Sequence, residues 1–172
     1  MPPPRLSNSI SEARTSPVPQ DMRATGLWVF ESRHAESFLM SVTEHSFLKL
    51  LWIREGRAKI RFKGASPDCE TGNLVIVPPF TSHRIVDSLD APVSLYGLGV
   101  DTKQLKCVEP VLATFQSGVY LGQRLGALSI EQHFRKLLYL VDQEGAASQF
   151  SSVAVALELL AEGRRLAERL QE

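Results

Sequence analysis

The chain has 172 residues, of which 44% are hydrophobic and 22% charged. This length suits one domain with an appendage, because a domain takes roughly 100–200 residues, and it argues against a two-domain enzyme. Nineteen basic residues balance nineteen acidic ones, and the densest basic cluster, Arg164, Arg165 and Arg169, alternates with glutamates. That mixture is typical of a solvated helix face and argues against a phosphate-binding surface.

The first 25 residues are rich in proline, serine and arginine and carry only scattered apolar side chains. Such a segment buries too little surface to order itself, so it predicts a flexible N-terminal arm over residues 1–25. The alternative is that Ile10 and Val18 dock onto the rest of the protein.

Residues 26–101 form short apolar runs separated by polar or glycine-containing breaks, which indicates a compact all-β unit. The predicted strands cover residues 27–32, 36–43, 47–54, 58–62, 74–77, 82–87 and 93–99. Gly56, beside charged residues, predicts a hairpin, and Pro67-Asp68 a further turn. Pro78-Pro79 should end a strand, because proline cannot donate to a sheet ladder.

The strand at residues 47–53 is apolar at even and odd positions alike. Both of its faces must therefore be covered, one by a barrel interior and the other by a second layer. The C-terminal third is the remaining structure that can supply this layer.

Beyond Asp101 the apolar pattern becomes helical, and one face collects Ile130, Phe134, Leu137, Leu138 and Val141. Ser129 and Gln132 predict a capping box at the start of this helix, and Gly145 its stop. A last helix is predicted over residues 152–169. Its apolar stripes are Leu159, Leu166 and Leu170 beside Ala156, Leu160, Gly163 and Ala167. Intramolecular cover and self-association are both open for this face.

Cys69 and Cys107 lie far apart in the sequence and form no C-x-x-C pattern. A reduced cytoplasmic setting is the natural inference, with a disulfide between them as the alternative. The N-terminus lacks the apolar core of a secretory signal, and no apolar stretch approaches the ~18 residues of a membrane span, so no membrane contact is expected.

Residues 72–87 read GNLVIVPPFTSHRIVD, and this segment resembles the second sequence motif of the cupin family. Gly72, Pro78 and His83 match at the family's spacing, whereas Phe80 stands where a glycine is usual and Asp87 where an asparagine is common. Gly72 permits a tight turn into the strand, and the prolines force a corner after it. The next strand then points His83 into the barrel.

The first cupin motif, aligned on Gly56, falls on Thr43, His45 and Lys49, which share one side of a strand. In metal-binding cupins these positions hold two histidines and a glutamate, which bind a divalent ion together with the histidine at position 83. The resemblance leaves His45 and His83 as the residues that would hold a metal. Two imidazoles beside an ammonium make a poor site, so we expect no metal and no other cofactor.

The layout from Gly26 onward is similar to the sensing half of AraC-type transcription regulators, including a stretch like SLYGLGVD that closes the barrel. The resemblance implies a mainly β fold, with a cupin-like (jelly-roll) barrel at residues 26–101 and antiparallel helices at residues 102–172. It also implies a small-molecule effector and a homodimer formed through those helices. DNA would be contacted only through a separate helix-turn-helix unit of about a hundred residues, which would begin where this sequence stops.

The candidate ligand-binding residues of the barrel lumen are, by motif position, Thr43, His45, Lys49 and His83. Lys49 would anchor a carboxylate or a sugar hydroxyl; alternatively it pairs with Asp87 or a neighbouring acid, or rolls outward. The two histidines either bind ligand or are former metal ligands that satisfy each other and the backbone.

No nucleophile with a partnered base, phosphate-binding glycine loop or paired carboxylates is visible, so we do not expect an enzyme. The alternatives are a stand-alone cupin enzyme, such as an isomerase or a metal-dependent dioxygenase, and a structural dimerisation module with a filled barrel. His34 and His133 lie in no motif and are expected on the surface or on a helix face. The aromatic residues that either stack on a ligand or belong to the core are Trp28, Trp52, Phe62 and Phe80.

Overall fold

The computed structural model describes residues 12–106, 109–112, 114–121 and 124–169. The first seven strands, β1 to β7, are Leu27–Arg33, Leu48–Glu55, Arg57–Phe62, Asp68–Glu70, Asn73–Val77, His83–Asp87 and Ser94–Val100. They are followed by α1 (Glu109–Leu112), β8 (Gly118–Leu121), α2 (Arg124–Val141) and α3 (Ala146–Arg169). Of the helices within these ranges, none is long and apolar enough to cross a membrane.

The strands form two antiparallel sheets that face each other. The larger sheet has five strands in the order β1-β7-β2-β5-β8, and the smaller has three in the order β4-β3-β6. Apolar side chains of both sheets meet between them, among them Leu51 of the larger sheet and Ile60 and Ile85 of the smaller. The prediction of a mainly β, cupin-like barrel followed by helices is confirmed.

Strand β2 is buried on both faces, as its apolar pattern predicts. Leu50 and Trp52 belong to the buried cluster that also contains Phe134 of α2. Leu51 and Ile53, of opposite parity, lie in the cluster between the sheets. The C-terminal helices therefore supply the second cover, and the odd-numbered side chains of β2 face the barrel interior.

Helices α2 and α3 run antiparallel, and His133 Nε2 lies 3.0 Å from Glu158 Oε2 across them. Residues 142–145 join them, and Gly145 takes a φ of +105° just before α3. The predicted capping box is wrong, because α2 begins at Arg124 and Ser129 lies inside it. Four of the five residues that precede Ser129 in α2 are good helix formers, and the helix extends upstream through them despite Gly126. Helix α3 likewise begins before residue 152, at Ala146.

The apolar face of α3 is used within the chain. Its buried residues include Val155, Ala156, Leu159, Leu160, Gly163, Leu166 and Ala167. A Cβ on Gly163 would lie 3.2 Å from Leu74 Cδ2, so the helix packs closely onto β5 at this point. Intramolecular cover thus accounts for the described part of this face, while Leu170 lies outside the described residues.

Three details of the predicted strands are wrong. Residues 36–43 form no strand. Their backbone makes an isolated bridge at Thr43, a hydrogen bond from Leu39 N to Thr15 O and a local one from Phe38 N to Ala35 O. Strands β4 and β8 were not predicted, because three or four residues are too few to show a period. Gly56 does turn the chain with a φ of +88°, but β2 and β3 enter different sheets and form no hairpin.

Candidate ligand-binding site

A small cavity of about 40 Å³ lies between the two sheets. Its walls are mostly apolar, and the polar side chains that reach it are Ser32, His34, Lys49 and His83. Pockets that bury a drug-sized ligand are far larger, roughly 300–1,000 Å³. In this conformation the lumen is therefore nearly filled.

Lys49 of β2 lies in the lumen, with only 6% of its surface exposed. Its Nζ is 5.7 Å from the ring centroid of Trp28 and 5.9 Å from that of Phe30. None of the ion pairs in the described part of the chain includes this lysine. Burial lowers the pKa of Lys49 to about 8. Among the described residues Lys49 pairs neither with Asp87 nor with a neighbouring acid, and it does not roll outward, so these alternatives are wrong.

The Asp87 carboxylate is engaged elsewhere. His34 Nδ1 lies 2.8 Å from Asp87 Oδ2, and the Val93 backbone N–H donates to the same oxygen at 2.9 Å. The His34 ring is 5% exposed and stacks on Phe38 with centroids 3.4 Å apart. The prediction that His34 is a surface or helix-face residue is therefore wrong.

The alternation of side chains along β1 predicts the direction of the His34 side chain. Even-numbered residues of β1, namely Trp28, Phe30 and Ser32, line the lumen, and His34 continues this parity one residue beyond the strand. Because side chains alternate along a strand, this register predicts that His34 faces inward.

His83 lies on β6 and is 2% exposed. Its Nδ1 donates a hydrogen bond to the Thr81 carbonyl at 2.9 Å, which leaves Nε2 buried with no partner among the described residues. His45 Nε2 is unpartnered in the same way, and the two rings lie 5.5 Å apart between centroids. The alternative that the histidines satisfy each other is therefore wrong.

Both imidazoles are held in the neutral form. Burial, followed by the charges of Lys49 and His83, lowers the pKa of His45 from 6.5 to about 4. The pKa of His83 is also lowered, chiefly by burial. Near pH 7 the imidazoles of His45 and His83 are thus neutral, beside the Lys49 ammonium.

Thr43 is placed beside this group but turned to the backbone. Thr43 and His83 form an antiparallel bridge, with both N···O distances at 2.9 Å, and Thr43 Oγ1 donates to the Ser41 carbonyl at 2.8 Å. Of the motif residues, Lys49 and His83 line the cavity. His45 lies next to them, and its ring stacks on that of Phe47.

These side chains do not fit the divalent ion that the cupin resemblance implies. The donor set is two imidazoles with an ammonium beside them, and an ammonium repels a cation. Within the described ranges, no group of three or more His, Cys, Asp or Glu side chains could hold a metal ion. A lumen without metal stays our prediction, which metal analysis of the purified protein would check.

The cysteine thiol of the barrel is not a candidate for chemistry. Cys69 is buried, and burial raises its pKa to about 12, so the reactive thiolate is scarce. Cys107 lies outside the described residues, so the alternative of a disulfide between Cys69 and Cys107 also involves a residue outside them.

Part of the N-terminal segment, for which we expected a free arm, lies against the barrel. Arg14 forms a parallel bridge with His34, and its N–H donates to the Arg33 carbonyl at 2.7 Å. Further along, Pro17 and Val18 form part of the cavity wall. Residues 12–18 therefore close one side of the lumen, while Ile10 lies outside the described residues.

Comparison with known proteins shows the same architecture in a solved structure. No protein-family model matches this sequence, and no curated protein matches it. The AraC-like transcriptional activator CuxR aligns with a TM-score of 0.50 and 10% identity, over 81% of this chain and 54% of that chain. The two share a fold.

Two further solved structures align less closely. ToxT from Vibrio cholerae gives a TM-score of 0.45 and 9% identity, over 81% of this chain and 56% of that chain. A cupin 2 conserved barrel domain protein from Salinispora arenicola gives 0.34 and 21%, over 51% of this chain and 67% of that chain. The chain spans about half the length of CuxR and of ToxT.

The glycines of β7 explain why the lumen is nearly filled. Gly97 pairs with Phe30, whose ring atoms lie 2.1 Å from the point where a Cβ of Gly97 would stand. A Cβ on Gly99 would meet Phe47 at 2.9 Å and Trp28 at 3.3 Å. The missing side chains let the aromatic rings lie flat across β7, so the rings occupy the barrel interior.

Phe80 occupies the cupin glycine position and keeps the backbone conformation that favours glycine. Its φ is +57° and its side chain is 69% exposed. Left-handed backbone costs a residue with a Cβ about 1–2 kcal/mol. Its N–H donates to the His45 carbonyl at 2.7 Å, which holds this turn against the site.

We expect Phe80→Gly to be more stable than Phe80→Ala by about 1 kcal/mol, because both lose the exposed ring and only glycine relieves the strained φ. Urea denaturation of the two variants measures the difference. Equal free energies of unfolding would contradict the assignment of strain to this residue.

Proposed function

We propose that this chain is the small-molecule-sensing and dimerisation unit of an AraC-type transcription regulator, in which a separate unit contacts DNA. The supporting observation is a small, mostly apolar lumen with buried polar atoms that have no partner among the described residues. These are the Nε2 atoms of His45 and His83 and Ser32 Oγ. The Lys49 side chain, 6% exposed, lies beside them, and none of the ion pairs in the described ranges includes it. Buried polar groups are normally hydrogen-bonded, so this set favours a ligand that supplies the partners.

Such a ligand would change the position of the docked N-terminal segment. Pro17 and Val18 stand in the cavity wall, and the cavity is too small for an organic molecule while they are there. A ligand that enters must displace this segment, and a ligand that binds one arrangement better shifts the population toward it. Occupancy of the lumen would thereby be coupled to the position of the arm.

Dimerisation is proposed through the exposed face of α2. Leu128 and Tyr139 are 58% and 66% exposed and lie 11 residues apart, about three helical turns, so they share one face. The buried stripe of α3 is covered within the chain, although Phe150 near its start is 77% exposed, and the exposed face of α2 favours a homodimer. A stand-alone cupin enzyme, our alternative, is favoured by none of the described residues.

The sensing part is tested by thermal denaturation of the protein against a panel of sugars, amino acids, aromatic acids and fatty acids. We expect at least one compound to raise the melting temperature in a concentration-dependent way, because a ligand that binds only the native state stabilises it. The dimer is tested by analytical ultracentrifugation of the wild type and of Tyr139→Glu, with Leu89→Glu as a control.

Leu89 is 87% exposed and lies after β6, away from the helices. We expect Tyr139→Glu to dissociate the dimer and Leu89→Glu to leave it intact. A strict monomer at high concentration, together with a melting temperature that no compound shifts, would overturn the proposal.

A further inference from the structure

The side chain of Lys49 is buried, and no acidic side chain of the described residues forms an ion pair with it. We propose that the effector is an organic monoanion, whose carboxylate binds Lys49 Nζ and whose apolar body packs against Trp28 and Phe30. This inference rests on the proposed function and names the chemical class of its ligand.

The surroundings of Lys49 are apolar, with the rings of Trp28 and Phe30 next to its ammonium. No ion pair among the described residues includes Lys49, and burial lowers its pKa. Asp87, at the end of β6, is held by His34 and the Val93 N–H. Removal of a charge from water is costly unless the charge is paired, and a carboxylate would supply a charge-assisted hydrogen bond.

The basic side chains that line the cavity favour a ligand with a single negative charge. Of the residues that line the cavity, Lys49 and the two histidines His34 and His83 are basic, and no arginine is among them. His34 is already paired with Asp87. Phosphate groups are usually bound by several basic or backbone donors, so a single ammonium suits a carboxylate better.

The walls favour an apolar body over a sugar. The rings of Trp28 and Phe30 stack 4.3 Å apart beneath the ammonium, and Leu51, Ile85 and Leu95 complete the surface. A sugar needs hydrogen-bond partners for most of its hydroxyls, and this lining offers few. The carboxylate alone fits the free space of about 40 Å³, so the body would take the place of Pro17 and Val18.

The experiment uses pairs of acids and neutral analogues of equal shape: benzoate with benzamide, and octanoate with octanamide. Binding to the full chain is measured by titration calorimetry and by the fluorescence of Trp28 in a Trp52→Phe background. Trp52 faces the helical layer and would otherwise add a second signal. We expect each acid to bind about tenfold or more tightly than its amide. Benzoate should also bind more tightly than acetate, because acetate lacks the apolar body.

Matched variants assign the preference to Lys49. Lys49→Met should make acid and amide bind equally, whereas Lys59→Met, which removes an exposed lysine of β3, should keep the preference. A second test needs no variant: the affinity for benzoate should fall between pH 7 and pH 9 as Lys49 loses its proton, and that for benzamide should not. His45 and His83 have lowered pKa values and carry no charge in this range.

The outcomes separate the two proposals. Equal binding of acid and amide to the wild type, or a preference that survives Lys49→Met, overturns the monoanion and leaves the sensor intact. Equal binding of acetate and benzoate overturns the proposal that an apolar body of the ligand packs against Trp28 and Phe30. If no member of any pair binds and no compound of the wider panel shifts the melting temperature, both the monoanion proposal and the proposed sensing function are overturned.

Discussion

Replacement of Lys49 by methionine is expected to raise the free energy of unfolding by about 3 kcal/mol at pH 7. The pKa of Lys49 falls from 10.5 in water to about 8 in the folded chain, and each unit corresponds to about 1.4 kcal/mol. Methionine keeps a long flexible side chain in the lumen without the charge, so the cost of desolvating the ammonium disappears. Urea denaturation of both proteins measures the gain.

The gain in stability from Lys49→Met should decrease as the pH rises. Below pH 8 the lysine is protonated in the folded and the unfolded chain, and the full cost of burial is present. Between pH 8 and 10.5 the unfolded chain binds more protons, so the stability of the wild type rises with pH in this window. The advantage of Lys49→Met should therefore shrink to less than about 1 kcal/mol near pH 10.5.

Lys59→Met is the control for this prediction. Lys59 is exposed and pairs with Asp68 at 2.8 Å on the surface, so its replacement should change stability by less than about 0.5 kcal/mol. If Lys49→Met were neutral or destabilising at pH 7, the ammonium would already have a compensating partner in the lumen.

Gly97→Ala is expected to destabilise the chain by about 3 kcal/mol. The new Cβ would lie 2.1 Å from Cζ of Phe30, and this ring is 8% exposed and packed between Trp28 and the strand. Overpacking of a closed core costs about 1–3 kcal/mol or more, because neighbouring side chains leave their preferred rotamers. The melting temperature and the urea midpoint both report this loss.

Two further variants identify the cause. Phe30→Leu in the Gly97→Ala background should recover part of the stability, because the smaller side chain leaves room for the Cβ. Gly118→Ala, on the edge strand β8 of the same sheet, meets its nearest atom only at 3.3 Å and should cost less than about 1 kcal/mol. Similar losses of stability for both alanine variants would show that the loss arises from the strand backbone and not from contact with the Phe30 ring.

Much of the fold could be predicted from local patterns. The apolar residues at both parities of β2 predicted a barrel on one side and helices on the other, and Leu50 and Leu51 lie in those two clusters. The spacing of the cupin motif likewise led to His83 and Lys49, which line one cavity. These features succeed because side-chain direction follows from the strand period alone.

The partners of the polar side chains could not be predicted in this way. His34 and Asp87 are 53 residues apart, yet they form a buried pair, and Arg14 meets His34 through a backbone bridge that needs no particular side chain. Residues 36–43 alternate like a strand but pair with no neighbouring strand beyond an isolated bridge at Thr43, and Leu39 N bonds to Thr15 O of the N-terminal segment instead. In each case a neighbour brought close by folding decides the outcome.

The sequence by itself determined the alternation that predicts a β barrel with covering helices, and the resemblance to the cupin motifs made Lys49 and His83 candidates for its interior. Only the tertiary structure decided that Lys49 turns inward with no acidic partner among the described residues. It also decided that the rings opposite Gly97 and Gly99 nearly fill the lumen. The reason is physical: charge compensation and free volume depend on which strands are brought together across the barrel, and no local period records that arrangement.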